Sequence, residues 1–179
     1  QTGFQLRLMK KMGYDVIACG NHEFDYGPAK LAEITRSAHQ RGEIPALLLG
    51  NAVFNPTNPG DDNLEKLVAE NIIRRTLILS RGGLKFGFFS LLGKVADDNA
   101  AYAPPVTFSG QVATARKLVK ELSAESCDVI ICLSHSGVSK DKDGNWAGED
   151  VELARKVKGI DVIISGHTHT YLKDPVIVD

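Results

Sequence analysis

Four of the five histidines in this chain of 179 residues fall in three short segments. The segments read Gly20-Asn21-His22-Glu23-Phe24-Asp25, Ser134-His135-Ser136-Gly137 and Ser165-Gly166-His167-Thr168-His169. Each follows a short, largely apolar run: Val16–Cys19, Val129–Leu133 and Ile160–Ile164. Taken singly, each has an ordinary explanation. A histidine after a strand is commonly a hydrogen-bonded polar residue, Asn21 suits a turn, and His167 with His169 suits a solvated loop. Strand-end histidines in three separate turns are a pattern that these explanations do not produce together. Imidazole nitrogen combined with amide oxygen suits a first-row divalent ion such as Mn, Fe, Co or Zn rather than calcium. The adjoining glycines let the backbone turn sharply and come close to a ligand.

The elements that must position these groups alternate between helix and short apolar strand. Phe4–Met12 reads as a helix ending at Gly13. Val16–Cys19 is a strand, and Pro28 opens a helix that runs to about Arg41. Ala46–Leu49 is a strand and Asn51–Asn63 a loop rich in Asn, Pro, Gly and Asp. Ile72–Leu79 and Leu84–Leu92 flank Arg81-Gly82-Gly83, the signature of a hairpin. Ala96–Pro105 is irregular, and Ser109–Ser123 is a helix with Val112, Ala115, Leu118, Val119 and Leu122 on one stripe. Val129–Leu133 is a strand, Ser134–Trp146 a polar loop, Glu149–Lys158 a helix, Ile160–Ile164 a strand, and Pro175–Val178 starts another. Buried strands alternating with helices imply an α/β class, a largely parallel sheet covered on both faces with one antiparallel hairpin. In such sheets ligands bind beyond the carboxyl ends of the strands, where the three histidine segments lie.

Composition narrows the class of ligand. A formal net charge of −1 offers no basic face for DNA or RNA. No stretch reaches the roughly 18 apolar residues of a membrane span. Gln1-Thr2-Gly3-Phe4 shows neither the basic nor the apolar region of a signal peptide. The three cysteines, Cys19, Cys127 and Cys132, match no metal-ribbon spacing and lie in or beside apolar runs, so they read as structural thiols.

Gly20-Asn21-His22-Glu23, Ser134-His135 and Gly166-His167-Thr168-His169 resemble three motifs of the calcineurin-like metallophosphoesterases. The longer strings Gly20–Gly27 and Gly159–Thr170 are similar to the 5′-nucleotidase branch. The resemblance covers nearly the whole chain and implies a metallophosphatase β-sandwich flanked by helices (αββα), present in part. It implies that Asn21, His135 and His167 ligate one ion of a two-metal site and His169 the other. The ions would be Mn, Zn, Fe or Co. His22 would face the substrate phosphoryl group and Asp25 would orient its ring. A metal-bound hydroxide would then attack phosphorus in line. The implied activity is hydrolysis of nucleoside 5′-phosphates. Within the same superfamily the alternatives are cyclic-nucleotide phosphodiesterase, UDP-sugar hydrolase and thiosulfohydrolase activity, and outside it a binding domain without catalysis. Many such proteins are periplasmic or extracellular.

The family pattern also has an Asp-x-His and a Gly-Asp motif upstream of the region matching Gln1–Cys19, and a carboxy-terminal substrate-binding domain. Neither is in this sequence, so residues 1–179 read as one metallophosphoesterase domain, incomplete at its amino-terminal end. The expectation is that these residues alone hold at most one metal ion weakly, show little phosphatase activity, and leave an open edge beside Val16–Cys19 for self-association.

Other signals carry less. Asp141, Asp143, Asn145 and Glu152 match EF-hand ligand positions, but Trp146 stands where the loop needs glycine, so a polar surface loop is expected. His39 suits the end of a helix. Ser136 beside His135 lacks the nucleophile elbow that a serine hydrolase requires.

Overall fold

The computed structural model describes residues 3–178. Helix α1 (Phe4–Lys11) leads through Gly13 into β1 (Val16–Ala18), a single 3₁₀ turn (Asn21–Phe24) and α2 (Gly27–Gln40). Pro28 stands in the first turn of α2, whose buried stripe continues through Leu31, Ala32, Thr35 and Ala38. Strands β2 (Ala46–Leu48) and β3 (Ala52–Val53) precede α3 (Asp62–Ala69), β4 (Ile73–Arg74), β5 (Thr76–Arg81) and β6 (Leu84–Leu92). Then come α4 (Lys94–Asp98), β7 (Thr107–Phe108), α5 (Gln111–Ala124), β8 (Val129–His135), β9 (Ser139–Lys140), β10 (Trp146–Ala147), α6 (Glu149–Lys156) and β11 (Val162–Ser165).

Two sheets carry the site. One is parallel, in the order β1-β2-β4, with β1 at its edge. The other runs β11-β8-β6-β5, parallel except for the β5–β6 hairpin. Gly82 and Gly83 close that hairpin at φ +58° and +82°, the left-handed pair that a two-residue turn requires. Leu47, Leu49 and Ile73 of the first sheet pack with Leu31, Ala32, Leu64 and Leu67 of α2 and α3. Phe89, Leu91, Ile130 and Cys132 of the second pack with Leu118, Leu122 and Leu153 of α5 and α6. The result is the expected α/β layering, helices outside and sheets within, mostly parallel with one antiparallel hairpin.

Several segments differ from the sequence expectation. Ile72–Leu79 is two strands in two sheets, because the chain changes sheet at Arg75. The Arg75 guanidinium anchors this crossing by donating to the carbonyls of Gly50 (2.9 Å) and Ala52 (3.1 Å). The loop expected over Asn51–Asn63 contains β3, which pairs with β7, and runs into α3, whose buried face is Leu64 and Leu67. Lys94–Asp98 is helical, overlapping the segment expected to be irregular. The Ser134–Trp146 loop begins as the last residues of β8 and contains the β9–β10 ribbon. Residues 175–178 form no strand. Pro175 has no N–H to give to a ladder, and the segment instead lines a groove beside Val162 and Ile163.

All three cysteines are free, and burial pushes the Cys19 and Cys132 thiols well up, away from the reactive thiolate. The Asp141 carboxylate accepts the N–H groups of Asp143 and Asn145, each at 2.9 Å, which is the work of a turn former.

Candidate metal centre

The register of the sheets gathers the three histidine segments. In the second sheet Ser134 pairs with Ser165, so the segments after β8 and β11 leave the sheet side by side. Strand β1 packs across against β8, bringing Gly20 and Asn21 to the same place. There the two sheets meet through side chains: His135 Nε2 lies 2.9 Å from Asn21 Oδ1. Asn21 is buried and His135 half-buried. The His167 ring completes the group, 5.1 Å from that of His135 between centroids.

Gly20 makes this possible by close approach. A Cβ there would lie 2.7–2.9 Å from three atoms of the His135 ring. On the far side a Cβ at Gly166 would lie 3.3 Å from His135 Nδ1, so the ring is held between two glycines. His167 and His169 adopt φ of +75° and +52°, a left-handed conformation uncommon outside glycine and concentrated at functional sites. Hydrogen bonds from the Thr168 and Thr170 hydroxyls to the carbonyl of Val138, at 2.9 and 2.7 Å, hold this turn.

His22 and Asp25 form a neighbouring pair. His22 Nδ1 lies 3.0 and 3.2 Å from the two carboxylate oxygens of Asp25. An ionised carboxylate only accepts, so Nδ1 carries the proton and Nε2 is left available. Both side chains are open to solvent, 78% and 52% exposed. His169 is exposed too, with no side-chain hydrogen bond among the described residues.

Burial holds the His135 imidazole below the usual histidine range, and the charges of His167, His22 and His169 push it further down. His167, His22 and His169 therefore all lie within electrostatic reach of His135. The neutral imidazole favoured by this setting is the form that binds a metal. Two ligand atoms on one ion, each at about 2.0–2.2 Å and at right angles, stand about 3 Å apart. The contact of 2.9 Å between Asn21 and His135 has that spacing. Among the described residues no three His, Cys, Asp or Glu side chains cluster at metal-binding distance.

The remaining candidates lie apart. His39 is exposed near the end of α2, and Ser136 Oγ contacts Ser134 Oγ at 2.8 Å and Gln111 Nε2 at 2.5 Å rather than His135. Sequence reasoning assigned no part to Asp150, one of three acids in the first turn of α6 with Glu149 and Glu152. Nothing in that pattern marks the one that is buried.

Residues 2–171 match the calcineurin-like phosphoesterase family. The trifunctional nucleotide phosphoesterase YfkN of Bacillus subtilis is 30% identical over 97% of this chain and 12% of its own length. The snake venom 5′-nucleotidase of Gloydius brevicauda is 32% identical over 93% of this chain and 25% of its own. The crystal structure of the 5′-nucleotidase precursor from Thermus thermophilus superposes with a TM-score of 0.71 at 26% identity, covering 95% of this chain and 29% of that one. This chain belongs to the calcineurin-like phosphoesterases and is related to their 5′-nucleotidases. Members typically bind two metal ions. The chain spans a quarter or less of the length of these two curated relatives.

Proposed function

We propose that this calcineurin-like phosphoesterase takes part in hydrolysing nucleoside 5′-phosphates at a metal centre that includes Asn21, His135 and His167. The observation that carries the reading is the junction of Asn21 with His135 across the two sheets, at ligand spacing and beside His167. Both curated relatives described above are named for action on nucleotides, which supports a nucleotide as substrate.

Asn21, His135 and His167 would hold one divalent ion, and His169 would serve a second together with ligands beyond those brought together here. When bound, the ions would neutralise phosphoryl charge and supply a nucleophile at neutral pH. The chain's own contribution is to keep the His135 ring neutral and wedged between Gly20 and Gly166. His22 does the proton work. Asp25 holds its Nδ1–H, so Nε2 can meet a phosphoryl oxygen or the departing sugar hydroxyl. The exposure of this pair suits a substrate that arrives from solvent.

The test is a panel assay of the complete gene product with Mn²⁺, offering AMP, 2′,3′-cyclic AMP and UDP-glucose in parallel. With products separated by chromatography, the expected result is fastest turnover of AMP, to adenosine and phosphate, stopped by a chelator. Turnover that ignores the chelator, or that is confined to the cyclic or UDP-sugar substrate, overturns the proposal.

A further inference from the structure

Asp150 has only 3% of its surface exposed, although it is an acid in the first turn of a helix. Its hydrogen bonds go to the two segments that carry the proposed metal-binding histidines. Oδ1 accepts the Ser134 hydroxyl at 2.5 Å, immediately before His135. Oδ2 accepts the N–H of Gly137 at 3.0 Å, just beyond His135. The same oxygen accepts the Ser165 hydroxyl at 2.5 Å, just ahead of His167. One carboxylate therefore brackets His135 on both sides and ties its segment to that of His167.

The surroundings are built to keep those contacts. Ser134 and Ser165 are register partners in β8 and β11, so both hydroxyls face the same acceptor. Gly137 adopts φ +102°, a left-handed conformation that L side chains rarely adopt, and Thr168 occupies the space where a side chain would go. Burying a carboxylate is costly unless its hydrogen bonds are made. An apolar residue would cover the sheet without that cost. What it would not do is fix the relative placement of two strand ends.

We propose that Asp150 is a positioning residue for the metal centre, setting the distance and orientation between His135 and His167. The proposal rests on the reading of those histidines as metal ligands. In outer-shell groups of this kind, substitution typically lowers metal affinity by about 10–100-fold.

The test uses this chain with ¹⁵N-labelled histidine, followed by NMR without metal and by Co²⁺ titration. Ser165→Ala removes one strut and should give the His167 ring a second conformation, seen as doubled or exchange-broadened signals, with native near-UV circular dichroism. Ser134→Ala should do the same to His135. Asp150→Asn should disturb both rings and weaken Co²⁺ binding about 10–100-fold. If Asp150→Asn does not fold, the two serine variants decide. A purely structural Asp150 would lower the melting temperature while leaving ring signals and folded-state Co²⁺ affinity unchanged, and that result overturns the proposal. The metal reading is decided separately, by Co²⁺ binding to the complete gene product, whose failure would sink it, while the metal-free ring signals of this chain decide whether Asp150 positions the histidines.

Discussion

Gly20-Asn21 and Gly50-Asn51 end neighbouring parallel strands, one after Cys19 and the other after Leu49. Strand β1 pairs with β2 at an offset of 30 residues, from Val16 with Ala46 to Ala18 with Leu48, and the two Gly-Asn pairs follow the strands at the same offset in sequence. Both asparagines are buried, 4% and 1% exposed. Their partners differ. Asn51 Nδ2 donates to the carbonyls of Leu92 (2.9 Å) and Ser109 (3.0 Å), and its Oδ1 accepts the N–H of Leu92 at 2.9 Å. Every contact is to backbone, so this amide ties the first sheet to the second. Asn21, among the described residues, has one side-chain hydrogen bond, to the His135 ring. A ring can turn or exchange that contact for a metal, whereas a strand backbone cannot. Two strand ends with the same Gly-Asn pair thus separate into a structural bolt and a candidate ligand according to what lies across the gap.

The comparison can be broken most severely at Asn51. Asn51→Ala leaves three backbone groups without partners, at about 1–3 kcal/mol for each buried group. The expected loss is on the order of 3 kcal/mol or more, a large share of a domain's stability. Urea unfolding should show a midpoint far below that of wild type. Asn21→Ala should cost about 1 kcal/mol in the same experiment, one ordinary hydrogen bond. Equal midpoints for the two variants would erase the distinction.

The residue after each asparagine sharpens it, since His22 follows one and Ala52 the other. In the complete gene product His22→Ala should lower kcat by about 10²–10⁴-fold, as expected for lost proton transfer. Metal content by atomic emission should hold, because His22 is paired with Asp25 and exposed rather than part of the Asn21 group. Loss of metal together with activity would make His22 a ligand.

The paired glycines give the finest contrast. The atoms nearest an added methyl belong to the His135 ring at Gly20 and to the backbone of Ser90 at Gly50. Gly20→Ala should cost about 1–3 kcal/mol, the usual range for overpacking, and displace the ring. Gly50→Ala should cost more, because the strand opposite cannot give way. A thermal melt of both variants ranks them, and the reverse order would mean that the His135 seat is the more rigid of the two.

Much of this architecture is legible in the residues. The strands β1, β2, β8 and β11 stand out as short apolar runs, α2 and α5 by their stripes, and the hairpin by Gly82-Gly83. The strand-end histidines point to a common site because parallel strands deliver their carboxyl ends to one edge. The sheet change at Arg75 was hidden, since Ile72–Leu79 is continuous in composition and the anchoring carbonyls of Gly50 and Ala52 are remote in sequence. The ribbons β3–β7 and β9–β10 are too short for any periodicity to register. Asn51 and Asp150 escape for a related reason. A polar residue near a turn or helix start looks solvated until tertiary packing buries it, and only the fold shows which backbone groups it must satisfy.

The most direct measurement is Mn²⁺-induced broadening of the histidine ring signals in this chain. His39 lies 12 residues along α2 from Gly27, about 18 Å at the helical rise of 1.5 Å per residue, and serves as an internal control. At low Mn²⁺ the signals of His135 and His167 should broaden first while that of His39 stays sharp, and Asn21→Ala should abolish the selectivity. Broadening of His39 at the same Mn²⁺ concentration, or a titration unchanged by Asn21→Ala, would contradict the assignment of Asn21, His135 and His167 to one metal ion.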